Sequence, residues 1–308
     1  MERILHYDIS RQLGHGKNGP TYLAYDTGLQ RPVVLKLLDD RPSVTRSWVE
    51  EFDHRTEPWL HLRDPGIAQY LSVEQVEGRW CIIRDYVDGQ SLAEIAATSS
   101  ADYLKVLETA LAAAEILRDA HDHGLVHENI TPHNVFVERD GAVRLVDHCL
   151  GLAPADITSG YLKPEDIVCL PPEQLQGGVD THLGDLYSLG VSLYHFLTGR
   201  YPWPLDNPSD LPRLVAEVPL DLEPIPSGSR GEIARLLLTK MLTPEPSERF
   251  QSAEDLQTTL KGMLSLDTGD IEIITEQKKR LSSRQYFTIS VLVLLLVILW
   301  LVLTTVHR

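Results

Sequence analysis

The chain has 308 residues, 43% hydrophobic and 23% charged, which is enough apolar material for a sizeable core in one large domain or two small ones. Its formal net charge of −16 argues against a nonspecific nucleic-acid surface, because that needs a basic face. Cys81, Cys149 and Cys169 are odd in number and widely spaced, so neither a disulfide framework nor a zinc site is expected, and the usage suits a reducing cytosol.

The N-terminus, MERILHYDIS, carries charge early and has no apolar core segment, so it does not read as a signal peptide. Short apolar runs follow: TYLAYD, RPVVLKLL, IAQYLSVEQ and RWCIIRDYV. Their residue types predict strands, with GLQRP and VEGR as hairpin turns. Between them SWVEEFDHRTEPWLHL has helical spacing, and Pro58 inside it is expected to shorten or kink the helix. From about residue 90 the pattern turns helical. SLAEIAA opens with Ser91 and places Glu94 three residues on, a capping-box signature. LKVLETALAAAEILRDAHDHG predicts a long helix ending at Gly124. GDLYSLGVSLYHFLTG, GEIARLLLTKML and SAEDLQTTLKGML predict three more. A strand-rich segment before a helical one is an α+β arrangement.

The far end differs in kind. Residues 266–285 are polar and read as a juxtamembrane linker. Residues 286–306, YFTISVLVLLLVILWLVLTTV, carry no charge. At about 1.5 Å per residue such a helix spans roughly 30 Å of hydrocarbon. Lys278, Lys279, Arg280 and Arg284 precede it, so the positive-inside rule puts the preceding domain in the cytoplasm. The expectation is a single-pass inner-membrane protein with only His307 and Arg308 beyond the span and no sensor domain there. The span has no small-xxx-small pattern to support close helix pairing.

Gly14, Gly16 and Gly19 in GHGKNGPTYLAYD form G-x-G-x-x-G. Glycines let a backbone approach phosphates closely, although the pattern alone fits a plain glycine-rich turn equally well. A dinucleotide site would need a helix next, whereas here a strand follows and then VVLK with Lys36. Further on come HENITPHNV with His127 and Asn134, VRLVDHCLGLA with Asp147, PPEQ with Glu173, GDLYSLG with Asp185, and PSERFQSAEDL with Arg249.

In that order and spacing these stretches resemble the glycine loop, V-A-I-K, H-R-D-L-x-x-x-N, D-F-G and A-P-E motifs of the protein kinases. The chain is similar to the bacterial branch of the eukaryotic-like Ser/Thr protein kinase family over about residues 7–262. The resemblance implies a bilobal domain over 7–265. A small antiparallel β lobe with one helix would occupy about 7–86, and a larger helical lobe about 90–265. It further implies ATP held by Gly14, Gly16, Gly19, Lys36, Val34 and Thr21, with Mg2+ on Asn134 and Asp147. Glu173, Asp185 and Arg249 would be structural, His127 would brace the catalytic loop, and Tyr22 and Tyr187 would pack.

The sequence also departs from the family pattern. The catalytic Asp, which orients the substrate hydroxyl, is Asn129, and an amide has no useful basicity. General-base action is typically worth about 10² to 10⁴ in rate, so this loss alone would leave a slow enzyme. The Lys that steadies the transferring phosphate is Thr131, and the adjacent Arg is Glu128. A phosphate near Glu128 would be repelled, which disfavours activation at Thr158 or Ser159. The position of the helix Glu that should meet Lys36 holds Arg55, leaving Glu51 or Glu57 as substitutes if the helix is shifted. Val34 and Thr21 should crowd and polarise the adenine pocket. D-F-G has become DHCLG, with Gly151 two places late.

The nucleotide half of the site is therefore kept and the transfer half degraded, and such groups act as a unit. Three readings follow. The first is a membrane-tethered pseudokinase that binds an unnamed protein partner. The second is a weakly active Ser/Thr kinase, its acceptor hydroxyl oriented by Asn129 or Glu128. The third is an ATP-using enzyme of another reaction class.

Overall fold

The computed structural model describes residues 3–39, 44–98, 102–152, 164–204, 210–225 and 227–265. The predicted linker 266–285, the predicted membrane span 286–306, Thr158 and Ser159 lie outside them. Among the described residues no helix is long and apolar enough to cross a membrane.

Strands β1 (Arg3–Ile4), β2 (Tyr7–Gly16), β3 (Gly19–Asp26), β4 (Arg31–Leu37), β5 (Tyr70–Val76) and β6 (Arg79–Asp85) form one antiparallel sheet in the order β1-β2-β3-β4-β6-β5. Alternation sorts the side chains of this sheet between two faces. Val33 and Leu35 join Tyr7, Ala24, Cys81 and Ile83 in a core on one face. The opposite face carries Val34 and Lys36 of β4, which face Arg84 and Ile82 of β6 in register. Glu77 and Gly78 both have positive φ, +49° and +82°, and make the two-residue turn between β5 and β6 that suits a twisted hairpin.

The predicted helix of this lobe is two helices. Thr45 caps α1 (Arg46–Thr56) by accepting from the Trp48 N–H at 3.2 Å. Pro58 offers no N–H, and the chain resumes as α2 (Trp59–Leu62). Val49 and Phe52 are buried against the sheet, Phe52 meeting Tyr70 edge-on at 5.0 Å.

In the large lobe Ser91 and Glu94 close the predicted capping box on α3 (Leu92–Thr98): Glu94 N donates to Ser91 Oγ at 3.2 Å and Ser91 N to Glu94 Oε2 at 2.8 Å. Helix α4 (Tyr103–Asp122) is capped by Asp102 and ends where Gly124 turns left-handed, at φ +73°. The small side chains Ala110, Ala113, Ala114 and Ala120 are fully buried along it and let neighbouring helices approach. Two short helices, α5 (Pro164–Ile167) and α6 (Pro172–Leu175), precede α7 (His182–Thr198), which is apolar on nearly all sides and runs through the centre of the lobe. Helices α8 (Leu211–Glu217), α9 (Ser229–Met241) and α10 (Ala253–Ser265) complete it, α10 lying against α4.

A second antiparallel sheet, β7 (Gly89–Ser91), β8 (Val135–Glu138) and β9 (Val143–Leu145), sits between the lobes. Its strands are too short for periodicity to reveal. Ala68 N donates to Leu145 O and Leu145 N to Gly66 O, at 3.0 and 2.7 Å, which ties the two lobes by main chain.

Arg249 is buried and binds both oxygens of Glu173 at 2.8 Å, while its guanidinium also donates to the carbonyls of Thr243 and Pro244 and lies 4.7 Å from the Tyr187 ring centroid. Tyr187 is itself fully buried, and Tyr22 packs on the small-lobe core. Cys81, Cys149 and Cys169 are buried free thiols.

Candidate functional site

The cleft begins at the β2–β3 hairpin. Gly14 pairs with Thr21 and Gly16 with Gly19 across it. A Cβ on Gly14 or Gly16 would meet nothing within 4 Å, so both backbones face open space. Gly19 has φ +121°, and a Cβ there would lie 2.2 Å from the Leu37 carbonyl, so this position requires glycine. Thr21 stands directly opposite Lys36 on the next strand, and Leu23 opposite Val34. The sheet therefore presents Thr21, Val34 and Lys36 on one face; Val34 is buried and the other two are half-buried.

The loop from His127 to Asn134 hangs from α7. Asp185, in the first turn of that helix, accepts from the His127 and Glu128 backbone N–H groups at 2.8 and 2.9 Å, and its Oδ2 lies 2.9 Å from His121 Nε2. This anchorage forces Glu128 into the left-handed region, φ +67°. Asn129 is buried. Its Nδ2 donates to the Asp147 carbonyl at 2.9 Å, and its own carbonyl accepts from Asn134 Nδ2 at 2.8 Å. Thr131 is half-buried, and its carbonyl accepts from Asn134 N at 3.0 Å.

Asp147 is the focus of the charge. Lys36 Nζ donates to Oδ2 and Arg84 Nε donates to Oδ1, the latter at 2.7 Å. Burial acting alone would raise the carboxyl pKa, but the two cations outweigh it and hold the group well below the usual carboxylate range. Arg84 Nη1 also donates to the Asp85 carbonyl at 2.9 Å, which fixes the guanidinium to its own strand.

The side chain after Asp147 turns the other way. His148 is fully buried between Trp59 and Tyr70, with ring centroids 4.4 and 4.5 Å away, and Tyr70 Oη donates to its carbonyl at 2.5 Å. His127 stands 6.1 Å beyond. Burial keeps both imidazoles neutral: His127 is lowered to about 4 and His148 lies well below 6.5.

Arg55 does not meet Lys36. Its Nη1 lies 3.0 Å from Glu128 Oε2, and its guanidinium donates to the Cys149 carbonyl. Glu51 and Glu57 are exposed, so neither takes the role held open for them; Lys36 is paired with Asp147. Glu128 is turned to Arg55, which commits the carboxylate that the weak-kinase reading offered to an acceptor hydroxyl. Burial raises its pKa to about 7 against the opposing pull of Arg55. The displaced Gly151 has a packing reason: a Cβ there would come within 2.9 Å of the Glu128 carbonyl.

The divalent cation expected on Asp147 and Asn134 would have to share Asp147 with the two cations already paired to it in this structure. Both Asp147 oxygens already accept charged donors, so a cation there would lie against Lys36 and Arg84, whereas Asn134 donates through Nδ2 to the Asn129 carbonyl and keeps its Oδ1 as a ligand atom. Arg84 is the site residue that motif reading missed. Its signal was present: an Arg two places from Ile82, on the same face of the apolar run RWCIIRDYV.

Comparison with known proteins shows the family to which this fold belongs. The sequence model described as "Protein kinase domain" matches residues 7–260. The chain is 26% identical over 269 residues to the serine/threonine-protein kinase PrkC of Bacillus subtilis, a match covering 85% of this chain and 41% of that protein. It is 28% identical over 267 residues to the serine/threonine-protein kinase PknB of Mycobacterium tuberculosis, covering 82% and 42%. The match thus spans about two fifths of the length of these relatives. Among solved structures, a double-mutant PknI kinase domain of Mycobacterium tuberculosis superposes with a TM-score of 0.66 at 24% identity, covering 86% of this chain and 98% of that one. At that identity the likeness concerns the fold.

Proposed function

Because the chain belongs to the protein kinase domain family, we propose that it is a membrane-anchored signalling protein of the Ser/Thr kinase kind, one that engages a protein partner through a kinase-shaped domain that holds nucleotide without transferring phosphate. One observation carries this reading. The side chain at the hydroxyl-orienting position is a buried amide, and that amide is committed to the main chain, Asn129 Nδ2 to the Asp147 carbonyl at 2.9 Å. It has no useful proton affinity to offer, and one of its two N–H donors is spent on that carbonyl. The pairing of Arg55 with Glu128 supports the same reading, since the contact between the small-lobe helix and Lys36 on which the family's active state depends is replaced.

The family generally uses ATP and Mg2+, and Lys36 beside Asp147 favours a second reading, a weakly active Ser/Thr kinase. Incubating the full chain with radiolabelled ATP and Mg2+ or Mn2+ separates the two. Incorporation no greater than in a Lys36→Met control is the expected result; incorporation that Lys36→Met abolishes would establish the weak kinase.

The anchor rests on the uncharged run 286–306 and on Lys278, Lys279, Arg280 and Arg284 before it, which support a single pass with the folded domain on the cytoplasmic face. Carbonate-resistant membrane association that disappears on deleting 286–306 is the expected outcome.

A further inference from the structure

The pair between Arg84 and Asp147 has no counterpart among the motifs that define the cleft. Arg84 comes from β6, is buried, and reaches the carboxylate oxygen that Lys36 leaves free. Its other ties are local: its own strand holds it through the Asp85 carbonyl, and Val34 and Tyr70 face it in register on the two neighbouring strands. The guanidinium is thus built into the sheet as a fixed donor.

Its charge has a consequence. Lys36 and Arg84 bring two positive charges to one carboxylate, and the Asp147 side chain is only 5% exposed. The floor of the cleft keeps a net positive charge that water screens weakly. A divalent cation approaching Asp147 would meet repulsion from both neighbours and compete with a charged donor on each carboxylate oxygen. A polyphosphate anion would meet attraction, under a hairpin whose Gly14 and Gly16 backbones stand open.

We propose that Arg84 is a resident cation standing where a divalent metal would otherwise join Asp147, and that the cleft takes a nucleoside triphosphate in its metal-free form. The proposal deepens the reading of a nucleotide-binding domain that does not transfer phosphate, and it rests on that reading. It assigns Arg84 a binding role and turns Asp147 from a metal ligand into the anchor that positions two cations.

Calorimetric titration of the full chain, detergent-solubilised, with ATP in EDTA and in MgCl2 tests it. The wild type should bind ATP in EDTA at least as tightly as in Mg2+. Arg84→Met should lose at least tenfold in EDTA, while Arg84→Lys keeps most of the affinity. Asp147→Asn should keep metal-free binding to within about tenfold, because its amide oxygen can still position one of the two cations and no metal ligand is lost, whereas at a metal site it would abolish binding. Binding by the wild type that requires Mg2+, absence of binding at millimolar ATP in EDTA, or unchanged metal-free affinity in Arg84→Met would each overturn the proposal. Should Arg84→Met fail to fold, the two wild-type titrations and Asp147→Asn still decide it. Phosphate transfer in these samples would overturn the underlying reading, whereas metal-dependent binding without transfer would overturn this inference alone.

Discussion

Restoring the family's residue at the catalytic position should damage this protein. In Asn129→Asp the new carboxylate would occupy a site 4% exposed, with an oxygen where Nδ2 now stands, 2.9 Å from the Asp147 carbonyl oxygen. Two acceptors would face each other and one hydrogen bond would be gone. Losing a buried partner in this way costs about 1–3 kcal/mol, and an ionised group adds to that. Lys36 and Arg84 give little relief, since both are already committed to Asp147. The expected loss is about 3 kcal/mol at pH 8. A protonated carboxyl could donate to the same carbonyl, so the carboxyl pKa in the folded state should be raised. A raised carboxyl pKa leaves its cost absent below the unfolded value and makes it grow as pH rises from about 4. Urea denaturation of variant and wild type at pH 5 and pH 8 measures both quantities, with a phosphotransfer assay on the same samples. A variant as stable as the wild type at pH 8, and newly able to transfer phosphate, would refute the argument that this amide holds the loop.

Glu128→Gln should stabilise the protein at alkaline pH. The folded pKa of about 7 lies above the ordinary 4.5, so the carboxylate's cost is absent below 4.5 and grows as pH rises through 7; the stability gap between variant and wild type should widen by about 3 kcal/mol between pH 4.5 and 8, read from unfolding midpoints. Arg249→Met should cost about 3–5 kcal/mol in a denaturant titration, because it leaves Glu173 and the Thr243 and Pro244 carbonyls without their shared donor. A loss below about 1 kcal/mol would mean water replaces the guanidinium there.

What the sequence displays well is whatever is local. Ser91 and Glu94 cap each other three residues apart, Gly124 and Gly199 end helices with positive φ, and Pro58 divides a helix at the place its missing N–H dictates. The motif residues Lys36, Asn129 and Asp147 meet in one cleft, as their order implied. The partnerships among the altered residues were hidden, because they depend on contacts distant in sequence. Taken singly, Arg55 reads as a lost Glu and Glu128 as a lost Arg; in space they are each other's partner. Arg84 belongs to no motif and declares itself only when Asp147, 63 residues away, is folded beside it. The three strands beneath the cleft and the short helices α5 and α6 contain too few residues to show a period.

The lobes are stitched along a single seam. Lys36 and Arg84 reach from the sheet to Asp147, Arg55 reaches from α1 to Glu128 and the Cys149 carbonyl, and Tyr70 reaches the His148 carbonyl. All of these end on the stretch from Glu128 to Cys149, so swinging one lobe away from the other would break them together. Any occupant whose entry needs the lobes to part would have to wait for that collective rupture. Such an occupant would enter slowly, leave slowly and be remembered by its residence time, which suits a protein that reports on what it holds and ill suits one that must discharge a product every second.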